Sequence, residues 1–382
     1  MADNKDKKVL NVPALRFPEF TEEWREYAIG NVLSIGNGRD YKHLHNGDIP
    51  VFGTGGYMTS VDDFLYDGES VFIGRKGTIN KPLYYNGKFW TVDTLFYTHS
   101  FVNVLPKFAY CLFQTINWLK YNEASGVPSL SKATIEKIKV RVPSMDEQGK
   151  LSNQLFLLDK RIEVQNKIIE KYESLIQAMC DTLIGKKTQQ VMLSFNDFGE
   201  SYSGLSGKSA EDFGEGSPYI TYMNVYQNQI IDITDIGLVK INKTEQQSLV
   251  QYGDILFTLS SETPEEVGMG AVYLGETYPL YLNSFCFGIH ITDKSKIFPP
   301  FLAYYVSSES FRKAVFPLAQ GSTRFNLQKG DFLKKVFPFP AIEQQRKIYS
   351  ILKTYSDKLN IEKQMIKLLC CQKQYLLRQL FI

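Results

Sequence analysis

One segment of this chain occurs twice. Gly126-Val-Pro-Ser-Leu-Ser-Lys132, followed by Val142-Pro143-Ser-Met-Asp-Glu147-Gln148-Gly-Lys-Leu151, leads into a long helical pattern ending at Leu183-Ile184. In the other half, Gly321-Ser-Thr-Arg-Phe-Asn-Leu327 and Phe339-Pro340-Ala-Ile-Glu343-Gln344-Gln345-Arg-Lys-Ile348 lead into a second helical pattern ending at Leu380-Phe381. An internal repeat of this size limits the fold more than any single motif, because each copy must be one structural unit. The chain therefore presents two versions of one scaffold, and what it binds is expected to be bipartite.

The helical patterns are heptads. Leu151, Leu155, Leu158, Ile162, Gln165, Ile169, Tyr172, Ile176, Met179 and Leu183 alternate spacings of four and three; Ile348, Leu352, Tyr355, Leu359, Glu362, Ile366, Leu369, Lys373, Leu376 and Leu380 do the same in the same phase. That is an a/d seam. A helix of about 35 residues runs about 50 Å at 1.5 Å per residue, and its apolar stripe requires a partner. The economical partner is the other copy, packed antiparallel; a bundle-core helix or a homodimeric coiled coil is the competing reading. Gln165 and Glu362 hold equivalent seam positions, where a polar residue can fix register. Pro143 and Pro340 mark the helix entrances, with Asp146, Glu147 and Glu343 in the first turns, where the helix dipole favours acids.

Between the helices lie two variable sections of short strands and turns. The first holds Gly36-Asn-Gly38, Asn46-Gly-Asp48, Gly53-Thr-Gly-Gly56 and Gly74-Arg75-Lys76-Gly77, then a helix beginning near Pro106. The second repeats the order with different loops: Tyr252-Gly-Asp-Ile-Leu-Phe257 parallels Asp67-Gly-Glu-Ser-Val-Phe72, and Pro300-Phe-Leu-Ala-Tyr-Tyr305 parallels Pro106 to Tyr110. The expected class is α+β, with two pseudo-repeated α/β domains joined by two long helices forming an antiparallel coiled coil. The boundaries read as an N-terminal segment 1–16, a first domain 17–142, a helical spacer 143–192, a second domain 193–339 and a second spacer 340–382.

Basic, aromatic and small polar residues cluster on the predicted loops. The first section offers Arg39, Tyr41, Lys42, His43, His45, Arg75, Lys76 and Lys81; the second offers Tyr202, Ser203, Lys208, Tyr222, Asn224, Thr263 and Arg324. Glycine-rich turns let a backbone approach phosphate while neighbouring side chains reach base edges. Taken singly, each is also an ordinary solvated turn residue. The formal net charge is only +2, which argues against a non-specific nucleic-acid binder. The second section is locally acidic at Glu211-Asp212, Glu262 and Glu265-Glu266.

Catalytic motifs are not evident. Gly204-Leu-Ser-Gly207-Lys208-Ser209 imitates the end of a phosphate-binding loop, but the required first glycine falls at Tyr202. His43 and His45 lack the further ligands of a familiar metal site, so no metal is expected. Cys111, Cys180, Cys286, Cys370 and Cys371 show no C-x-x-C spacing and read as buried thiols in a reduced cytoplasm. The polar start Met1 to Lys8 lacks the apolar region of a signal peptide.

The chain resembles a type I restriction-modification specificity subunit over nearly its full length. Three features carry the resemblance: the Pro143…Glu147-Gln148 and Pro340…Gln344-Gln345 helix entrances; the segments at Gly321 and, more loosely, at Gly126; and the opening Leu15-Arg16-Phe17-Pro18-Glu19-Phe20…Trp24. Gly74-Arg75-Lys76-Gly77-Thr78 and Phe89-Trp-Thr-Val-Asp-Thr94 look like one widespread kind of recognition domain. The departures are Gln344 where the first copy has Glu147, and Val127-Pro128 where the second has Ser322-Thr323. The resemblance implies two target recognition domains, each reading half of a split double-stranded DNA site, on a helical pair that docks two methyltransferase subunits. Restriction subunits complete such a complex. S-adenosylmethionine, ATP and magnesium then belong to the partner subunits, and this chain holds no cofactor and performs no catalysis. A non-enzymatic scaffold that binds protein partners through its repeats is the alternative.

Overall fold

The computed structural model describes residues 11–185, 190–242, 244–276 and 278–382; the polar start Met1 to Lys8 lies outside them. The chain divides into two compact units. One contains the residues up to Lys167 together with Gln364–Ile382, the other Ile168–Lys363. Each unit therefore takes half of each long helix, Met145–Ile184 and Ile342–Leu380.

In the first unit a six-stranded sheet has the order Ser34–Asn37, Leu95–His99, Tyr66–Gly74, Leu83–Thr91, Asn46–Gly53, Gly56–Val61. Pairing is antiparallel except between Asn46–Gly53 and Leu83–Thr91. Ser70 to Gly74 is buried without interruption, as expected of a strand covered on both faces. The helix Pro106–Phe113 contributes Phe108, Leu112 and Phe113 to the core on one side, and Phe52, Phe72, Phe89 and Leu95 form a separate cluster. A two-stranded ribbon, Arg25–Ala28 with Lys139–Val142, leads to the helix entrance.

The second unit has the same sequence of parts around smaller sheets. A four-stranded sheet orders Gly199–Ser203, Cys286–Ile291, Ile255–Thr258 and Gly270–Val272. Beside it lie two three-stranded sheets. Helix Pro299–Tyr305, buried throughout, corresponds to Pro106–Phe113. The ribbon at the entrance is Val336–Pro340 with Gln190–Ser194.

The two long helices run antiparallel within each unit. In the first, Leu151 and Leu155 share a core with Leu376, Leu377, Leu380 and Phe381, and Lys373 pairs with Asp159 at 2.5 Å. In the second, Cys180 and Ile184 share a core with Ile348 and Leu352, and Lys363 pairs with Glu173 at 2.7 Å. Leu155, Leu158, Gln165 and Leu352 are buried, and Ile162, Ile169, Tyr355, Leu359, Glu362 and Ile366 are half-buried. Leu157, Leu175, Ile361 and Leu368, which lie off the seam, are exposed. Glu362 is also bound to Lys358 at 2.8 Å.

Each helix is fastened to its domain by the same glutamine. Gln148 is fully buried; its Oε1 accepts from Leu105 N–H (2.8 Å), and its Nε2 donates to the carbonyls of Asn103 and Pro143 (both 3.0 Å). Gln345, also fully buried, accepts from Phe298 N–H (2.9 Å) and donates to Lys296 O (2.9 Å) and Pro340 O (2.8 Å). One amide thus joins the helix entrance to the loop before the short domain helix, using both its acceptor and its donors. The preceding residue differs for a visible reason. Glu147, 1 % exposed, forms a two-pronged pair with Arg16 (2.8 and 2.7 Å), which raises the guanidinium pKa further. Gln344 is exposed and faces no such demand. The opening motif therefore has a structural role. Trp24 packs edge-on against Phe108 and Phe381, and Leu15 N–H bonds to Gln379 O at 2.9 Å. Cys111, Cys180 and Cys286 are buried, whereas Cys370 and Cys371 are exposed, because they fall off the seam on the second helix. The expectation of five buried thiols is corrected accordingly.

Candidate nucleic-acid interface

In the first domain two basic loops are anchored to one stretch of backbone. Arg39 N–H donates to Thr91 O (2.8 Å), and Arg39 O accepts from Trp90 Nε1 (2.8 Å). Arg75 and Lys76 both donate N–H groups to Thr94 O (2.8 and 3.2 Å). The segment 90–94 thus backs both loops, which joins two motifs that lie apart in the sequence. Arg39, Lys42, His43, Arg75, Lys76 and Lys81 are all exposed. Among the described residues Arg39, Lys42, Arg75, Lys76 and Lys81 form no ion pair. Tyr41 is half-buried against Val51, Val61, Trp90 and Val92, so it supports its loop. His43 sets its ring edge-on to Trp90 at 5.8 Å, and His45 pairs with Asp62 at 3.2 Å.

Arg75 is held in place. Its Nη1 donates to Asp93 O (3.3 Å) and its guanidinium lies 5.8 Å over the Phe96 ring. Beside it opens a cleft of about 530 Å³ lined by Asn37, Arg75, Lys76, Phe96, Ser131 and Lys132, among others. Its far wall is the loop before the first long helix. Asn122 Oδ1 accepts from Ala124 and Ser129 N–H groups, and Glu123 accepts from the hydroxyls of Ser131 and Thr134. These bonds preset the loop's conformation.

The second domain exposes fewer of the expected residues. Ser203, Thr263 and Arg324 are exposed, with Arg324 5.9 Å over the exposed Phe285 ring. Tyr222 is half-buried and donates its hydroxyl to Ser260 O at 2.7 Å. Three candidates have their polar groups bonded within the domain, Asn224 buried and Tyr202 and Lys208 half-buried. Tyr202 stacks on His290 at 4.3 Å and donates to Asp254 (2.8 Å); burial pushes its hydroxyl pKa well up. Lys208, with 3 % of its side chain exposed, pairs with Glu245 at 2.5 Å. Asn224 is fully buried and donates its amide to the carbonyls of Asp232 (2.8 Å) and Asp235 (2.5 Å), bracing the turn after its short helix. A buried charge or amide needs such partners.

Lys132 and Lys329 open corresponding short helices directly after the two loops, Lys132–Lys137 and Lys329–Lys334. Both follow the repeated segment, outside the loop residues that carry the local signature. No group of His, Cys, Asp and Glu among the described residues could hold a metal ion, and no helix is long and apolar enough to cross a membrane.

Comparison with known proteins gives this architecture a family. The profile of the type I restriction modification DNA specificity domain matches residues 21–174 and again 192–369. The type I restriction enzyme MjaVIII specificity subunit of Methanocaldococcus jannaschii is 24 % identical, over 92 % of this chain and 84 % of that protein. Among solved structures, the S subunit of a type I restriction-modification system from M. genitalium superposes with a TM-score of 0.63 at 17 % identity, covering 97 % of this chain and 99 % of that one. A chain solved in work on complex assembly and conformational transition of the type I R-M system gives 0.56 at 14 % identity, covering 93 % and 96 %. With two profile matches accounting for most of its length, the chain belongs to the type I restriction-modification DNA specificity family and carries two copies of its recognition domain.

Proposed function

We propose that this chain reads a bipartite, asymmetric DNA site for a type I restriction-modification complex. Each domain reads one half-site, and the antiparallel helices set the gap between them and dock two methyltransferase subunits. The chain contributes recognition. Adenine-N6 methylation is performed by the methyltransferase subunits with S-adenosylmethionine, and ATP- and magnesium-dependent cleavage by added restriction subunits. Its place of action is the bacterial cytoplasm, where such DNA and partners meet.

The observation that carries this reading is the repetition of the glutamine fastening at Gln148 and Gln345 under two domains whose exposed loops differ. A shared mounting with divergent loops suits two readers of two sequences, and two linked readers multiply specificity. The test is co-expression with a methyltransferase subunit, followed by modification-sensitive long-read sequencing of randomised DNA. A split methylated motif with a fixed gap is expected. A contiguous motif, or co-purification with no methylation, would overturn the reading and favour a scaffold that binds only protein.

A further inference from the structure

The loop before each long helix meets the domain's reading strand through the same short ladder. In the first domain Lys76 lies opposite Ser129, Leu130 N–H donates to Arg75 O (2.9 Å) and Gly77 N–H donates to Pro128 O (2.8 Å). In the second, Ser260 lies opposite Asn326 and Ser261 opposite Phe325, and Leu327 N–H donates to Leu259 O (2.8 Å). The ladders correspond position by position: Arg75 with Leu259, Lys76 with Ser260, Ser129 with Asn326. A glycine of positive φ stands beside each ladder, at different positions, since the second has Ser261 where the first has Gly77. Gly77 has φ +95°, and at Gly321 (φ +140°) a Cβ would lie 2.0 Å from Arg324 O.

The charge has changed strands. In the first domain the cations Arg75 and Lys76 sit on the strand end, and the facing loop Val127-Pro128-Ser129 is neutral. In the second the strand end Leu259-Ser260-Ser261 is neutral, and the cation Arg324 sits on the loop. Both arginines lie over a phenylalanine ring, Phe96 and Phe285. A further lysine, Lys132 or Lys329, follows each loop, and Lys329 lies 5.1 Å over the Phe287 ring.

We infer that this ladder is a DNA-backbone grip in each domain, with Arg75 and Lys76 holding phosphate in the first and Arg324 in the second. The inference rests on the DNA-reading role proposed above. A base contact has no reason to keep its place between domains that read different sequences. A phosphate contact does, because the backbone is the same under any sequence. Each ladder carries a cation over a phenylalanine ring, on the strand end in the first domain and on the loop in the second, where Ser261 Oγ also donates to Glu266 (3.1 Å). The preset loop and the ring beneath each guanidinium lower the ordering cost of such a contact. The grip also makes the repeated loop part of the DNA surface, one short helix and one strand ahead of the helix entrance.

The test uses the chain assembled with its methyltransferase subunits and fluorescent DNA carrying single-base variants in either half-site. Arg75→Ala, Lys76→Ala and Arg324→Ala should each weaken every sequence variant by the same factor, and lower the slope of log affinity against log salt by about one. Arg75→Lys should keep the slope, since a point charge suffices for phosphate but not for two-pronged guanine recognition. DNA with single methylphosphonate linkages adds a second measurement. One neutral linkage should weaken the wild type and cost Lys76→Ala nothing more. Relaxed preference at one base, or unchanged affinity and slope, would overturn the grip. So would loss of inorganic phosphate binding with DNA isotherms intact, which would mark a small-anion site. If the assembled wild type binds no DNA specifically, the DNA-reading role fails instead.

Discussion

Glu147 is buried beside a helix entrance, and Arg16 reaches it with two N–H groups. Removing one partner of a buried pair leaves an uncompensated charge, which costs about 3–5 kcal/mol. Arg16→Ala should therefore lower stability by an amount of that order in chemical denaturation. Adding Glu147→Gln should recover part of the loss, because it removes the buried charge that Arg16 balances. A double variant as unstable as the single one would show that Arg16 acts through packing alone. Lys208 gives the opposite kind of case. Its glycine-flanked loop looks like an anion site, yet Glu245 already neutralises it. Lys208→Ala should leave the salt slope of DNA binding unchanged, whereas Lys76→Ala should lower it. The sequence concealed this because the partners of Lys208 and Tyr202 lie dozens of residues away, at Glu245 and Asp254. Nothing local marks such a side chain as turned inward. Arg75 and Lys76 were legible because a glycine turn with adjacent cations has a local signature, although the loop they face was not.

The helices were the most legible elements. Their seam recurs at a fixed spacing, so a single period specifies which residues pack; Leu155, Leu158 and Leu352 are buried while Leu157 and Leu368 are exposed. The strands were less so, because short runs such as Ser260–Ser261 and Tyr281–Leu282 are paired through distant partners and carry no periodicity of their own. If the helices act as a ruler, adding one heptad to each keeps the seam in phase and lengthens the pair by about 10 Å at 1.5 Å per residue. That is about three base pairs at 3.4 Å each. Methylation mapping of this variant should return the same half-sites with a gap longer by about three. Altered half-sites with an unchanged gap would mean that the helices do not set the spacing.

At the scale of the whole molecule, 43 Lys and Arg oppose 41 Asp and Glu. Part of that charge is balanced in ion pairs, as in Lys139–Glu26, Lys240–Glu215 and Lys373–Asp159. Affinity for DNA at physiological salt depends on counterions released by cations that face phosphate. If the chain alone supplies about four such contacts, its salt slope is about −3.6, and a fourfold rise in salt weakens it about 150-fold. Few contacts also leave little affinity once salt reaches physiological levels. We therefore expect the isolated chain to bind DNA weakly and with little discrimination, and the methyltransferase subunits to supply the remaining phosphate contacts. Anisotropy titrations of the chain alone and of the assembled complex, at low and at physiological salt, separate the contributions. The complex should show the steeper slope and the preference for one split site; the chain alone should show a shallow slope and near-equal affinity for unrelated duplexes. Tight, site-specific binding by the lone chain at physiological salt would show that its two domains suffice, and that base contacts, rather than backbone charge from the partners, dominate the grip.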